Sequence, residues 1–424
     1  MIATGVTVGD AGDARPSQQS LRGLDWLNFL LAGALAGFGP FVVLYLTGRH
    51  WRQAEIGLIL TAGGVAGLLS QVPGGELLDT VRSKRSLIAL GVTMIAVSAG
   101  ILALWPSFPL VLTAQVVQGT TGGFLGAAVS AISLGLVGHA ALAERLGRNQ
   151  RFAAIGGFTT SWLMGLLGYF FSNQVIFLAS AALAILTLVA LGQIRANDIH
   201  YARACGAHYG DDKSDRPERI KRRSIYVSYS LVVFAGCIAL FQIANASMLP
   251  LLGETLGQGR QASLVISALI VVPQMVVAAM APWVGRRANA WGRRPLLLIG
   301  FGALPIRAVC FGLFSDPAVL VVVQLLDGVT GAVLGVLTPL VVADLTRGTG
   351  RFNLAQGFVG TFSGIGAALS TTASGLVAER FGSAAGFAAV AVVATKAGRA
   401  RVARRRRAEF IKLAVSWGAE CIPA

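Results

Sequence analysis

Two ionisable side chains stand where charge is expensive. Arg307 lies seven residues before an apolar run closes near 314, and Asp327 lies ten residues into the run that opens near 317. A charge in the hydrocarbon of a bilayer costs at least about 2.5–3.5 kcal/mol on insertion scales, so such residues mark function by default. At about 1.5 Å rise per residue the two stand about 10 and 15 Å from the same edge, within reach of a long Arg side chain. The expectation is an intramembrane pair, Arg307 with Asp327, in contact or sharing a water. A free Asp327 would be able to take up and release a proton; a paired one would be held ionised, as part of a neutral lock, and would carry protons poorly. The lock is the reading favoured here. Nothing else offers chemistry: Cys205, Cys237, Cys310 and Cys421 have no metal-type spacing, the four histidines do not join them, and no G-x-x-x-x-G-K-S/T stretch occurs. No catalytic residue, metal site or cofactor is expected.

The elements that must position these charges are apolar helices. The chain is 54% hydrophobic and 13% charged over 424 residues, with mean hydropathy +0.69, against about 25% charged in a soluble protein. It must keep most of its length out of water, so the lipid bilayer is its first partner. The net charge of +16 does not imply nucleic acid, because the basic residues sit in short turns and form no single face. Segments of spanning length fall at 24–46, 54–78, 86–105, 109–138, 152–172 and 174–193, then at 225–251, 261–284, 295–314, 317–343, 354–377 and 383–395. The fold class expected is therefore an all-α membrane protein of 12 transmembrane helices.

Of the 35 Lys and Arg, 30 fall on the side of the N-terminus, four on the other and one, Arg307, inside a helix. By the positive-inside rule both termini and the central loop are expected in the cytoplasm, with the chain in the inner or plasma membrane. Residues 1–23 form a cytoplasmic tail without a cleavable leader, 24–193 one bundle, 194–224 a charged linker too poor in apolar surface to fold alone, 225–395 a second bundle, and 396–424 a basic cytoplasmic tail. The last span has 13 uncharged residues, about 20 Å against a core of about 30 Å, and is expected to be truncated or distorted.

The two bundles read as copies. Gly75, Asp79, Arg82, Lys84 and Arg85 form a basic turn between the second and third spans; Gly285, Asn289, Gly292, Arg293 and Arg294 form another between the eighth and ninth, at an offset of 210. Gln115-x-x-x-Gly119-x-Thr121-Gly122 returns as Gln324-x-x-x-Gly328-x-Thr330-Gly331 at an offset of 209. Arg151-Phe152 with Gly157-Phe158 is matched to Arg351-Phe352 with Gly357-Phe358. Like order and orientation imply two parallel six-helix pseudo-repeats about an axis normal to the membrane.

With these turns the chain resembles the major facilitator superfamily (MFS) of secondary transporters over roughly residues 20–395. The family's signature, G-x-x-x-D-R-x-G-R-R/K, is matched by Gly75, Asp79 and Lys84, while Thr80, Arg82 and Ser83 depart from it; the second copy keeps Gly285, Gly292, Arg293 and Arg294 and has Asn289 in place of the acid. The resemblance implies a permease moving a small-molecule substrate by alternating access, with Asp79 as a cytoplasmic latch, no enzymatic activity, and a monomeric form. It also implies a central cavity lined by helices one, four, seven and ten, whose polar residues are Asn28, Gln115, Gln118, Thr121, Gln242, Asn245, Asp327 and Thr330. Phe38-Gly39-Pro40-Phe41 reads as a kink in the first helix. Proton-coupled drug exporters of the superfamily carry R-x-x-Q-G in the fourth helix, where this chain has Gln115-x-x-Gln118-Gly119, and a Gly-Pro pair in the fifth, which is absent here. Proton-coupled efflux of amphipathic compounds, with protons as a second partner, and a non-transporting sensor or defective paralogue stay open as alternatives.

Overall fold

The computed structural model describes residues 16–207, 228–248, 260–314 and 316–381. Every longer element among them is an α-helix and no strand occurs among them, as expected where lipid leaves backbone groups no partner but their own chain. In order these are α1 Gln18–Ala36, α2 Gly39–Gly48, α3 Gln53–Thr80, α4 Lys84–Leu104, α5 Phe108–Phe170, α6 Asn173–Gly192, the one-turn α7 Tyr201–Ala204, α8 Tyr229–Asn245, α9 Arg260–Trp291, α10 Arg293–Leu313, α11 Pro317–Val323, α12 Leu325–Leu345 and α13 Phe352–Phe381. Among the described residues eight helical stretches are long and apolar enough to cross a membrane. The expected span at 383–395, the tail at 396–424, residues 1–15 and most of the linker lie outside the described residues.

Among the described residues the buried apolar side chains form two cores. One is built from residues between Leu24 and Ile194. The other runs from Leu231 to Val359 and takes in Leu134, Leu142, Ala143, Leu146 and Ala154 of α5. The first helix breaks at Gly37 and Phe38, between α1 and α2, and Gly39 has φ +44°, a left-handed conformation that a side chain would strain. Phe38 anchors the break edge-on to Phe177, 6.5 Å between ring centres.

Three expectations need correction. First, α5 has no loop at 139–151. Its one non-helical residue is Gly138, φ 68°, and the helix resumes at once, carrying Arg145, Arg148 and Arg151. In that helical segment Arg145 and Arg148 both meet Asp25 of α1. Second, the first helix begins at Gln18, ahead of the span expected from 24: Ser17 Oγ accepts from Ser20 N at 3.2 Å, opening α1, and both serines donate to Asp198. Third, the match of Arg151 to Arg351 fails, since Arg351 immediately precedes α13 whereas Arg151 lies 13 residues beyond the kink at Gly138 that divides α5.

A different correspondence replaces it. A Cβ on Gly75 would overlap the carbonyl of Asn353, and one on Gly357 that of Gln71. A Cβ on Gly285 would stand 2.5 Å from the Ala143 carbonyl, and one on Gly147 2.5 Å from that of Ala281. Every residue of the first set lies 210 positions from its counterpart in the second. So α3 crosses α13, and the latter part of α5 crosses α9, with backbone against backbone. Glycine is required at those points because any side chain would hold the helices apart.

Candidate functional site

Asp79 ends α3 and is buried, 9% exposed. Its Oδ1 accepts from Asn353 N at 3.2 Å and Asn353 Nδ2 at 2.7 Å, and its Oδ2 accepts from Leu354 N at 2.8 Å. The two backbone N–H groups belong to the first turn of α13, which has no intrahelical acceptor for them, and the carboxylate also meets the positive end of the helix dipole. A carboxylate at the C-terminal end of its own helix, where the dipole is adverse, is thus satisfied by another helix 274 residues away.

The start of the linker closes over this contact. Tyr201 Oη donates to Asp79 O at 2.8 Å, His200 N to Gly135 O at 3.2 Å, Phe352 N to Cys205 O at 3.1 Å, and Gly348 N to Gly206 O at 2.7 Å. Residues 199–207 therefore bind α3 and α5 on one side and the entry to α13 on the other. Beneath them Lys84 is 2% exposed; its Nζ donates to Val81 O at 2.9 Å, lies 3.3 Å from Cys205 Sγ, and sits 4.7 Å from the centre of the Tyr201 ring. Burial pushes the Tyr201 hydroxyl up to about 12 and raises the Cys205 thiol, the latter against the nearby Lys84 charge. Arg85 reaches Leu191 O at 3.4 Å.

On the other crossing the chemistry is weaker. Asn289 Nδ2 donates to Ala140 O at 3.2 Å and takes no part in an ion pair. Gly292, φ 78°, starts α10, and Arg293 Nε donates to Asp344 Oδ2 at 2.9 Å; Arg294 is exposed.

Within the helices, Arg307 and Asp327 form an ion pair between Nη1 and Oδ1. Arg307 Nη2 donates to Asn245 Oδ1 at 2.9 Å, and its Nε lies 3.1 Å from Met248 Sδ. Arg307 is 4% exposed in its side chain and Asp327 30%, so the arginine stands behind and the carboxylate faces a cavity of about 370 Å³. Gln242, Asn245, Asp327 and Thr330 line that cavity; so do Gln274, Thr338, Gln356 and Ser363, which the sequence reading passed over.

The remaining expected cavity residues lie elsewhere. Asn28 Nδ2 is spent on Leu24 O at 2.7 Å and Thr121 Oγ1 on Val117 O at 2.8 Å. Gln115 is 4% exposed, its backbone carbonyl lies 3.0 Å from where a Cβ on Gly63 would be, and Gln118 is half-buried on the same helix; neither lines the cavity. Sequence reading also missed a second buried charge cluster. Asp25 receives Arg145 Nη2 at 2.5 Å and Arg148 Nη2 at 2.6 Å. Arg145 Nε donates to Asn149 Oδ1 at 2.8 Å, and Asn149 Nδ2 to Ser133 Oγ at 2.7 Å. The available signal was Asp25 itself, one residue inside an apolar span.

Glycine contacts thus line the crossings of α3 with α13 and of α5 with α9, Asp79 closes the end of the first, and α13 also lines the polar cavity. The model of the family described as Major Facilitator Superfamily matches residues 24–203 and 219–405. The chain belongs to the major facilitator superfamily. It is 36% identical over 376 residues to an uncharacterised MFS-type transporter of Mycobacterium tuberculosis, covering 88% of this chain and 90% of that one. Among solved structures it is similar to the MFS transporter FucP in the outward conformation, TM-score 0.68, 15% identity, 90% and 98% coverage. It is also similar to the human organic anion transporter MFSD10, TM-score 0.65, 16% identity, 90% and 97% coverage. As an MFS protein the chain is an integral membrane permease.

Proposed function

We propose that this permease moves a small solute by alternating access, as a monomer without enzymatic activity or cofactor. Two six-helix pseudo-repeats, 24–193 and 225–395, joined by 194–224, rock about the cavity. The basic turns and both termini face the cytoplasm of the inner or plasma membrane, in keeping with the distribution of Lys and Arg. The four glycine contacts related by one offset of 210 support the duplicated layout. The observation that carries the reading is Asp79 on the first turn of α13: a seal at one end that a few hydrogen bonds hold and can release. In this state the cytoplasmic end is shut. Arg307 and Asp327 serve as a neutral lock that presents one carboxylate oxygen to the solute, in preference to a proton relay.

The test needs no knowledge of the substrate. In a chain freed of native cysteines, Ser363→Cys places a thiol in the cavity, and Ala140→Cys with Asn289→Cys allows the second crossing to be oxidised shut. Labelling by a membrane-impermeant maleimide is expected from the outer face when the disulfide is formed, and from both faces after reduction. Labelling from one face only, whatever the state of the disulfide, sinks alternating access.

A further inference from the structure

The cavity says which chemistry it accepts. Four carboxamides, Gln242, Asn245, Gln274 and Gln356, and three hydroxyls, Thr330, Thr338 and Ser363, line it, the Thr330 hydroxyl being spent on the Gly300 and Leu326 carbonyls. Among the described residues the side chains of Gln242, Gln274, Thr338 and Ser363 make no hydrogen bond, and Gln356 Nε2 is buried without an acceptor. Asn245 spends its oxygen on Arg307 and keeps its amide N–H groups. The lining thus holds a surplus of donors and acceptors side by side. Among the described residues the single lining charge is Asp327, which is already matched by Arg307 behind it.

We propose that the solute is neutral and polyhydroxylated, of monosaccharide to nucleoside size; the proposal rests on the carrier reading above. A cation would have to compete with Arg307 for Asp327, and an anion would find Arg307 spent and shielded, so neither gains a counter-charge to repay its own desolvation. An amphipathic ion would also leave the amides unpaired, each at a loss of about tenfold in affinity. A hydroxyl both donates and accepts, as a carboxamide does, and vicinal hydroxyls match neighbouring amides. Phe241, Val277 and Leu334 supply apolar wall for ring carbons. The volume of about 370 Å³ sits near the small end of ligand cavities, about 300–1,000 Å³.

The test is the melting temperature of the purified full chain with D-glucose, D-ribose, myo-inositol and uridine, against tetraphenylphosphonium and benzoate. A saturable rise of several degrees with at least one of the four neutral solutes, and none with the two ions, is the expected result. Gln242→Leu should then raise the half-saturating concentration about tenfold while the ligand-free melting temperature stays put; Thr338→Val serves if that variant does not fold. Stabilisation by either ion, or none by any neutral solute, overturns the substrate class and leaves alternation to the thiol-labelling result. Binding of a neutral solute without its flux into proteoliposomes keeps the class and overturns carriage.

Discussion

The two crossings of the seam share a backbone and differ in side chains. At α3 with α13 and at α5 with α9, glycines at matching positions let carbonyls approach where any Cβ would collide. Yet Asp79 holds the first crossing with three charge-assisted hydrogen bonds, and Asn289 holds the second with one neutral bond. The halves differ likewise in where they bury charge: Asp25 with Arg145 and Arg148 locks helices to each other, whereas Arg307 with Asp327 opens on a cavity. Packing geometry is constrained at every turn of a close crossing, while a polar side chain answers only to its own partners. On the function proposed above, one half serves as frame and latch and the other as the binding wall.

The largest expected effect tests the buried charges. Asp25→Ala leaves Arg145 uncompensated in a site where both side chains are 4% exposed, and should cost about 3–5 kcal/mol of stability. Asp327→Ala should cost clearly less, because Asp327 is partly exposed and Arg307 keeps Asn245. Thermal unfolding of the two purified variants makes the comparison, and equal losses would erase the distinction between frame and binding wall. Next come the glycines. Gly357→Leu and Gly147→Leu should each destabilise the shut state by about 1–3 kcal/mol, by overpacking against a carbonyl. Maleimide access to the cavity from the latch end reads this, and a marked difference between the two would break the backbone symmetry.

A smaller effect separates the two latches. Asp79→Asn loses acceptor capacity at the first turn of α13, worth about 1 kcal/mol, typical of an N-terminal cap. That is about fivefold in the population of the open state. The buried thiol of Cys205 reports it, since alkylation should accelerate by the same factor. Asn289→Ala should change that rate by less than about twofold, as expected for one neutral, exposed hydrogen bond. The smallest effect is a pH dependence. Burial raises the Asp198 carboxyl, but hydrogen bonds from Ser17 and Ser20 outweigh it and hold the group below its ordinary 3.8. Its contribution is therefore full above about pH 4 and disappears as pH falls through the lowered folded value. Wild type should lose stability over that acid range by slightly more than Asp198→Asn, measured by urea midpoint.

What the sequence made legible follows from what is local. The apolar runs, the two basic turns and the anomaly of Arg307 beside Asp327 are each visible within a few tens of residues. The partner of Asp79 was not, because a helix N-terminus 274 residues away carries no charge letter. Arg145 and Arg148 misled the reading: three arginines in seven residues look like a loop until Asp25 is placed against them. Gln356 and Ser363 were passed over because kinship assigned the cavity to other helices. The true third correspondence, Gly147 with Gly357, was hidden by a showier Arg-Phe match in the wrong register.

The central claim is a seal that opens and shuts across α3 and α13. Its most direct measurement is the spin-label distance between Thr80→Cys and Arg347→Cys, two exposed positions flanking the latch, in a chain without other cysteines, reconstituted in lipid. The account predicts two distance populations, with the longer one enriched about fivefold by Asp79→Asn. A single distance unchanged by that substitution would contradict it.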